Sequence, residues 1–268
     1  MTIAEALARA RPCIAPAEAR LLLRHVLGRA ASDIAAHPER ALDESQASRY
    51  ADLVRRHAAG EPIAYILGSR EFYGREFRVT SAVLIPRPET ELLAEVALAK
   101  VSRGDAPRML DLGAGSGCVA ITLALELDAE VLAVDVSRDA LAIARDNAAR
   151  LGARVAFVES DWFAAVDGRF DLIVGNPPYV AEGDPHLDDL AFEPRVALTS
   201  GSDGLAAIRH VVAEAPRYLK PGGWLLLEHG YDQAEALAKL LADMGFVAIE
   251  RHRDLAGIVR VSGGRMPD

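Results

Sequence analysis

Met109-Leu110-Asp111-Leu112-Gly113-Ala114-Gly115-Ser116-Gly117 reads as an apolar strand that runs directly into a glycine-rich turn, and Cys118 to Leu127 then continue as a helix. Glycine has no Cβ, so such a turn can bend tightly and bring its backbone against a ligand. No Gly-Lys-Ser/Thr follows, so this is not a phosphate loop of the Walker type. The spacing is GxGxG, with Val119 near the third position of a dinucleotide fingerprint, so it departs from that motif as well. Taken alone, the stretch suits a nucleoside-type ligand or a tight strand–helix turn that binds nothing.

The next strand sharpens the first option. Val131-Leu132-Ala133-Val134-Asp135 is a buried-type strand ending in a carboxylate, one strand–helix–strand unit after the glycines. An acid there can accept both hydroxyls of an adenosine ribose. Ser137 is placed to cap the helix that follows. NAD would leave the same signature, and so would a merely solvated acid.

Downstream the alternation continues. Apolar runs at 109–112, 131–136, 154–158, 171–175, 223–227, 246–250 and 257–262 are mostly separated by helical patterns, which predicts a parallel sheet covered on both faces. Only Glu250 to Ala256 separates the last two runs. That is too short for a crossover helix, so they should pair antiparallel.

Upstream, the first ~70 residues read as short helices. Pro16 opens one that Gly28 stops, Asp43 caps another ended by Gly60, and Ile63 to Gly68 is a further apolar turn. Phe72-Tyr73, Phe77, Val79 and Val83, broken by Gly74, suggest a hairpin. Pro86-Arg87-Pro88 and the acids Glu89 and Glu91 then open a helix. The expected organisation is a helical domain over 1–70, a hairpin linker over 71–88 and an α/β domain over 89–268.

Bulk properties narrow the class. The 268 residues are 51% hydrophobic and 26% charged, as in a globular protein with a substantial core. No apolar run approaches the ~20 residues that span a bilayer, and the first residues lack a signal-peptide layout. Two well-separated cysteines, Cys13 and Cys118, point away from a disulfide framework and toward the cytoplasm. Net charge is −9 overall. Residues 1–90 hold 13 Arg and 11 acids (+2), and residues 91–268 hold 17 Lys+Arg and 28 acids (−11). An acidic α/β half repels a phosphate backbone and disfavours a nucleic-acid partner.

Asp171-Leu172-Ile173-Val174-Gly175-Asn176-Pro177-Pro178-Tyr179 carries the most specific local chemistry. A buried-type strand delivers Asn176 to its carboxyl end, where open α/β sheets bind ligands. The two prolines hold the chain extended and remove two N–H donors, leaving a loop rich in acceptors. The Asn176 side-chain oxygen and the Pro177 carbonyl could accept the two N–H bonds of a planar NH2 group, with Tyr179 stacked on its plane. An amide nitrogen is a poor nucleophile because its lone pair is delocalised, and two acceptors would push density back onto it. With an activated methyl donor, the protein mainly aligns the reacting atoms. The seven histidines show no HExxH spacing, and no metal is expected.

With glycine loop, ribose acid and Asn-Pro-Pro-Tyr in this order, the chain resembles a class I methyltransferase, and more closely the HemK/PrmC family of protein-(glutamine-N5) methyltransferases. The resemblance spans nearly the whole chain. It runs through Gly60–Gly68, Leu84–Glu91, Gly113–Gly117, Asn176–Tyr179, Phe192–Leu198, Gly201–Leu205 and Glu228–Gln233. It implies a Rossmann-like seven-stranded sheet with a small helical N-terminal domain and a β-hairpin connector; the helical domain's different charge and separate fold mark it as the substrate-docking element. The cofactor it implies is S-adenosyl-L-methionine, leaving as S-adenosyl-L-homocysteine. Gly113, Ala114, Gly115, Ser116 and Gly117 would hold its methionine end, Asp135 its ribose and Trp162 its adenine side, with Asn176 also in contact. From its own position Trp162 is as readily core as ligand. The implied substrate is the glutamine of a Gly-Gly-Gln motif in class 1 peptide chain release factors. It would be held by Asn176, Pro177, Pro178 and Tyr179 in a cytoplasmic, monomeric enzyme with no nucleic-acid or membrane partner.

Asn-Pro-Pro-Tyr is shared with adenine N6-methyltransferases of DNA or RNA. Such an enzyme needs base flipping and a basic binding surface, which the acidic half and the lack of a recognition insertion oppose. A non-catalytic binding protein on the same fold and an NAD dehydrogenase fit less well.

Overall fold

A computed structural model describes residues 1–101 and 106–268, which divide into two compact units, Met1–Ser69 and Arg70–Asp268. The first unit is helical: α1 (Ile3–Ala10), α2 (Pro16–Leu27), α3 (Ala31–Ala36), α4 (Glu44–Ala58) and α5 (Ile63–Leu67). Local chemistry sets these ends. Thr2 and Glu5 form a reciprocal capping box on α1, and Asp43 with Gln46 forms one on α4. Gly28 closes α2 in the left-handed region at φ 60°. Ile3, Leu22, Leu23 and Leu53 fill the interior, and the buried Tyr50 hydroxyl donates to the Ala19 carbonyl at 3.2 Å.

The second unit carries the hairpin β1 (Ser69–Phe72) and β2 (Arg75–Arg78), whose first residue sits at the unit boundary. Its two-residue turn has Tyr73 at φ 52° and Gly74 at φ 70°, the positive pair that a twisted hairpin favours. The hairpin is fastened to its own unit. The Tyr73 N–H donates to Glu91 at 2.9 Å, and the Arg78 N–H donates to Asn147 at 2.7 Å.

Then follow α6 (Pro88–Lys100), β3 (Arg108–Leu112), α7 (Cys118–Glu126), β4 (Glu130–Asp135), α8 (Arg138–Leu151), β5 (Val155–Glu159) and β6 (Phe170–Gly175). The chain ends with α9 (Ala206–Tyr218), β7 (Leu219–Glu228), α10 (Ala234–Asp243), β8 (Val247–Arg253) and β9 (Val259–Arg265). The seven strands lie in the order β5-β4-β3-β6-β7-β9-β8. The first five run parallel; β9 is antiparallel to both β7 and β8. The α/β fold, its seven-stranded sheet and the antiparallel closing pair therefore match the expectation from the sequence.

Alternate residues of each strand feed opposite faces, as a pleat requires. Met109, Leu172, Val174 and Leu226 pack with α7 residues Ile121 and Leu123. Leu110, Leu112, Ile173, Leu225 and Leu227 pack with Ile208 and Val211 of α9 and Leu237 of α10. Among the described residues no helix is long and apolar enough to cross a membrane.

Strand order fixes where a ligand belongs. From β3 the chain moves outward to β4 and β5, then returns to the other side of β3 as β6. The carboxyl ends of β3 and β6 thus diverge into oppositely directed connections, which opens a crevice between them.

Ile173 is fully buried in the middle strand β6. Ile173→Ala is expected to cost about 2–5 kcal/mol, as a large-to-small change in a close-packed core. Urea unfolding followed by tryptophan fluorescence isolates this unit, since both tryptophans, Trp162 and Trp224, lie in it. A lowered midpoint with an unchanged slope is the expected result, and an unchanged midpoint would show that Ile173 is not part of a close-packed core.

Candidate active site

A cavity of ≈520 Å³ opens at the crevice, walled by the glycine loop, Asp135, Trp162, Asn176 and Pro178, with Pro86, Arg87 and Thr90 on a further side. It lies wholly within the second unit.

The glycine loop is shaped by backbone demands. Gly115 (φ 53°) and Gly117 (φ 80°) adopt left-handed conformations that side chains resist. At Gly117 a Cβ would also lie 2.9 Å from Ile121 Cδ1 and 3.2 Å from Ala144 Cβ, so glycine there lets α7 and α8 approach. At Gly113 a Cβ would sit 4.0 Å from the Asn176 carbonyl, so the two motifs face one cavity across a single contact. Three buried or half-buried polar side chains hold the loop. Asp135 accepts the Gly115 N–H through one oxygen and the Ser137 N–H through the other, both at 2.8 Å. Asn147, fully buried, donates to the Ser116 carbonyl at 2.9 Å and the Arg78 carbonyl at 3.0 Å. Asp111 accepts the Ala120 N–H at 3.1 Å in the first turn of α7.

The electrostatics follow from this burial. Desolvation raises the Asp111 carboxyl to about 7, against the pull of the Ala120 N–H and with help from the charge of Asp135. Desolvation also raises Asp135, although backbone N–H groups of Ser137, Gly115 and Val136 work against it. Burial pushes the Cys118 thiol up to about 12, so it stays protonated and is not a nucleophile at neutral pH. Ser116 Oγ is buried in the wall with no oxygen or nitrogen partner among the described residues. A hydroxyl whose one partner in the fold is the Cys118 thiol and a carboxylate with lone pairs to spare suit a polar nucleoside-bearing ligand.

Trp162 stands in the cavity wall beyond β5, in a left-handed conformation (φ 49°) that is strained for a tryptophan. Ser160 braces this turn by donating to the Trp162 carbonyl at 2.8 Å and accepting the Ala165 N–H at 2.9 Å.

Asn176 follows Gly175 at the end of β6 and lines the cavity. Its Nδ2 donates to Thr90 Oγ1 at 3.2 Å, which leaves Oδ1 without a protein partner among the described residues. Pro178 is in the wall, Pro177 is buried, and no N–H among the described residues donates to the Pro177 carbonyl. The Tyr179 ring is half-buried and its hydroxyl turns to Glu228 Oε1 at 3.4 Å. Burial and the Glu228 charge raise the Tyr179 hydroxyl far above neutrality, so it keeps its proton. The structure thus brings Gly113 to Ser116, Asp135, Trp162, Asn176 and Pro178 into one wall, whereas Gly117, Pro177 and Tyr179 are not part of that lining.

Sequence reasoning left several residues of the site without a role. Thr90, Asp111, Glu193 and Glu228 are all nearly inaccessible. Glu193 accepts the Ile85 N–H at 3.1 Å and pairs with Arg87 at 2.5 Å, which ties the segments on two sides of the cavity together. Apart from Asp111, they lie in motifs that carried the family resemblance. A buried acid inside such a motif was the available signal. Among the described residues no group of three or more His, Cys, Asp or Glu gathers to hold a metal ion.

Residues 2–68 match the family model described as PrmC N-terminal domain, and residues 88–192 the model described as Methyltransferase small domain. The release factor glutamine methyltransferase of Burkholderia pseudomallei (strain K96243) is 51% identical over 261 residues, covering 93% of this chain and 92% of that protein. The protein of the same name from Bordetella pertussis (strain Tohama I) is 50% identical over 260 residues, covering 95% and 96%. The solved 16S rRNA N2 G1207 methyltransferase of T. thermophilus, in complex with AdoMet and guanosine, superposes with a TM-score of 0.53 at 24% identity. It covers 74% of this chain and 49% of that one, a likeness of fold alone.

The raised Asp111 carboxyl makes stability depend on pH. Its neutral form is favoured in the folded state, so its contribution is complete below about pH 4 and is lost as pH rises through about 7. Asp111→Asn keeps an acceptor for Ala120 and removes the ionisation. Differential scanning calorimetry from pH 5 to 8 should show a melting temperature that falls less steeply in the variant than in the parent. Equal slopes would mean that Asp111 does not titrate in this range.

Proposed function

We infer that this chain, which belongs to the release factor glutamine methyltransferase family, uses S-adenosyl-L-methionine as donor and methylates the N5 side-chain nitrogen of a Gly-Gly-Gln glutamine. The observation that carries this reading is the convergence of Asn176 and the glycine loop on one cavity at the switch point of the sheet.

The loop from Gly113 to Gly117, Asp135 and Trp162 would hold S-adenosyl-L-methionine, which supplies a methyl group already activated on a sulfonium. The fold neighbour solved with AdoMet supports this choice. The chain's own residues have the harder task of making an amide nitrogen reactive. Because Nδ2 of Asn176 is committed to Thr90, its Oδ1 is left to accept one N–H of the substrate amide. The Pro177 carbonyl, free of backbone donors, accepts the other. Two acceptors favour the form in which positive charge sits on the hydrogens and the lone pair localises on nitrogen. Pro178 and the Arg87–Glu193 pair bound the cavity and limit water. The helical unit, separate in fold and different in charge from its acidic neighbour, is read as the docking element for the protein substrate. Release factors act on ribosomes, so the reaction belongs in the cytoplasm.

Incubation with labelled S-adenosyl-L-methionine and purified class 1 release factors, followed by peptide mass spectrometry, tests the reading. A single methyl on the Gly-Gly-Gln glutamine is the expected product. Label on DNA adenine offered in parallel, or none on the glutamine, would refute it.

Asn176→Ala removes one acceptor at the reacting centre, and turnover should fall by about 100-fold or more with cofactor affinity little changed. Near-parental turnover would remove this mechanism. Asp135→Ala releases the Gly115 N–H of the loop and the Ser137 N–H ahead of α8, and calorimetry should show cofactor affinity weakened by about tenfold or more. An unchanged dissociation constant would contradict that role.

A further inference from the structure

An asparagine amide is nearly symmetrical in shape but opposite in polarity at its two ends, so its hydrogen-bond partners decide which end faces a substrate. If Asn176 is to accept from a substrate amide, Oδ1 must lie in the cavity and Nδ2 behind it, and the present inference rests on that reading of the site. The partner behind it is the Thr90 hydroxyl, itself 3% exposed, at 3.2 Å from Nδ2. A hydroxyl can donate or accept, so Thr90 alone would tolerate either end of the amide.

The surroundings of Thr90 remove that freedom. Glu228, at the carboxyl end of β7, is 1% exposed, and its Oε1 takes the Tyr179 hydroxyl at 3.4 Å. Its Oε2 is buried and receives no hydrogen bond of full geometry among the described residues, so this carboxylate keeps acceptor capacity for the Thr90 hydroxyl, which acts on it as a donor. The hydroxyls of Thr90 and Tyr179 both favour its charged form, as does Arg260, while Glu89 opposes it. The neighbours come from several elements: Glu89 and Thr90 from α6, Tyr179 from the loop after β6, Arg260 from β9 and Cys118 from α7. None is an ion-pair partner for Glu228, since Arg260 is spent on Asp254 at 3.3 Å. A buried carboxylate with no ion-pair partner is costly, and its persistence here calls for a role.

We propose that Glu228 is a positioning residue that sets the hydrogen-bond polarity of the acceptor clamp through Thr90 and Tyr179. A carboxylate only accepts, so the one proton of each hydroxyl is drawn toward it. Thr90 then has only lone pairs left for Asn176, which must present Nδ2 to Thr90 and Oδ1 to the cavity. Tyr179 is fixed in the same way, at the far end of the Asn-Pro-Pro-Tyr turn. Protonation of Glu228 undoes the sequence. The acid becomes a donor, Thr90 is freed to turn its proton to Asn176, and the inverted amide sets its own NH2 against the substrate NH2.

Burial lifts the Glu228 carboxyl to about 7, so this reversal falls in an accessible pH range. The active form is the charged one, and turnover should rise with pH through that value. Glu228→Gln keeps the shape and abolishes the ionisation. Its turnover should fall by roughly 10- to 100-fold, as for other losses of orienting contacts, with little change in the Michaelis constant for S-adenosyl-L-methionine and no inflection near pH 7. Thr90→Val should lose a similar factor, and Thr90→Ser should regain most of it, since only the hydroxyl is required. Full turnover in Glu228→Gln with the parental pH profile would overturn the proposal, as would equal losses in Thr90→Val and Thr90→Ser.

A readout independent of turnover comes from the 1H–15N signals of the Asn176 side-chain amide in the full-length protein. They should shift between pH 6 and 8 in the parent and stay fixed in Glu228→Gln. Signals that do not move in the parent, or that move identically in the variant, would also overturn the proposal. If the parent methylates no glutamine while the amide signals still titrate through Glu228, the functional reading fails and the polarity relay stands.

Discussion

Leu112 pairs with Gly175 in parallel register, and that pairing sets the end of β3 beside the end of β6. Everything chemical in this protein depends on it. One strand carries the glycine turn at its end and the other carries Asn176, and their helical connections leave in opposite directions because strand order reverses between them. Gly175 keeps the strands close, since a Cβ there would meet the Leu112 carbonyl at 3.1 Å. The loop that suits a cofactor and the loop that suits an amide become neighbours through backbone pairing, before any side chain is considered.

Polar side chains in and behind the cavity wall then hold these loops in place. Asp135 and Asn147 each tie the glycine turn to a different part of the fold, and Asp111 fills the first turn of α7. Buried acids lower stability when ionised, and two in this site, Asp111 and Glu228, have carboxyls raised to about 7. They are tolerated because a reacting geometry must be held to within a fraction of an ångström, which an apolar wall of the same volume would not do. The order of the site thus comes from hydrogen bonds in a dry interior, and the apolar faces of the sheet supply the stability that offsets their burial.

Most of the architecture was legible in the sequence because it is written in local signals. The seven strands fall on the apolar runs, α2 opens at Pro16, α4 is capped by Asp43, and the closing strands pair antiparallel after a short connection. Glycine spacing and the double proline marked the two loops for backbone reasons that need no partner. Side-chain partnerships at long sequence separation were not legible. Asn176 meets Thr90 across 86 positions, Glu193 meets Ile85 across 108, and Tyr179 meets Glu228 across 49. No periodicity encodes such meetings, which follow only from strand order. Asp135 showed the same limit. A strand-end acid pointed to a ribose, whereas the fold also uses one of its oxygens to brace the loop and the other to accept the Ser137 N–H ahead of α8.

In the proposed mechanism Asn176 and the Pro177 carbonyl receive the N–H bonds of a glutamine side chain. The most direct measurement is a crystal structure of the chain with S-adenosyl-L-homocysteine and a Gly-Gly-Gln peptide. The glutamine nitrogen is expected within about 3 Å of both Asn176 Oδ1 and the Pro177 oxygen, and facing the cofactor sulfur. A glutamine amide anchored elsewhere, or one that meets the nitrogen end of Asn176, would rule this mechanism out.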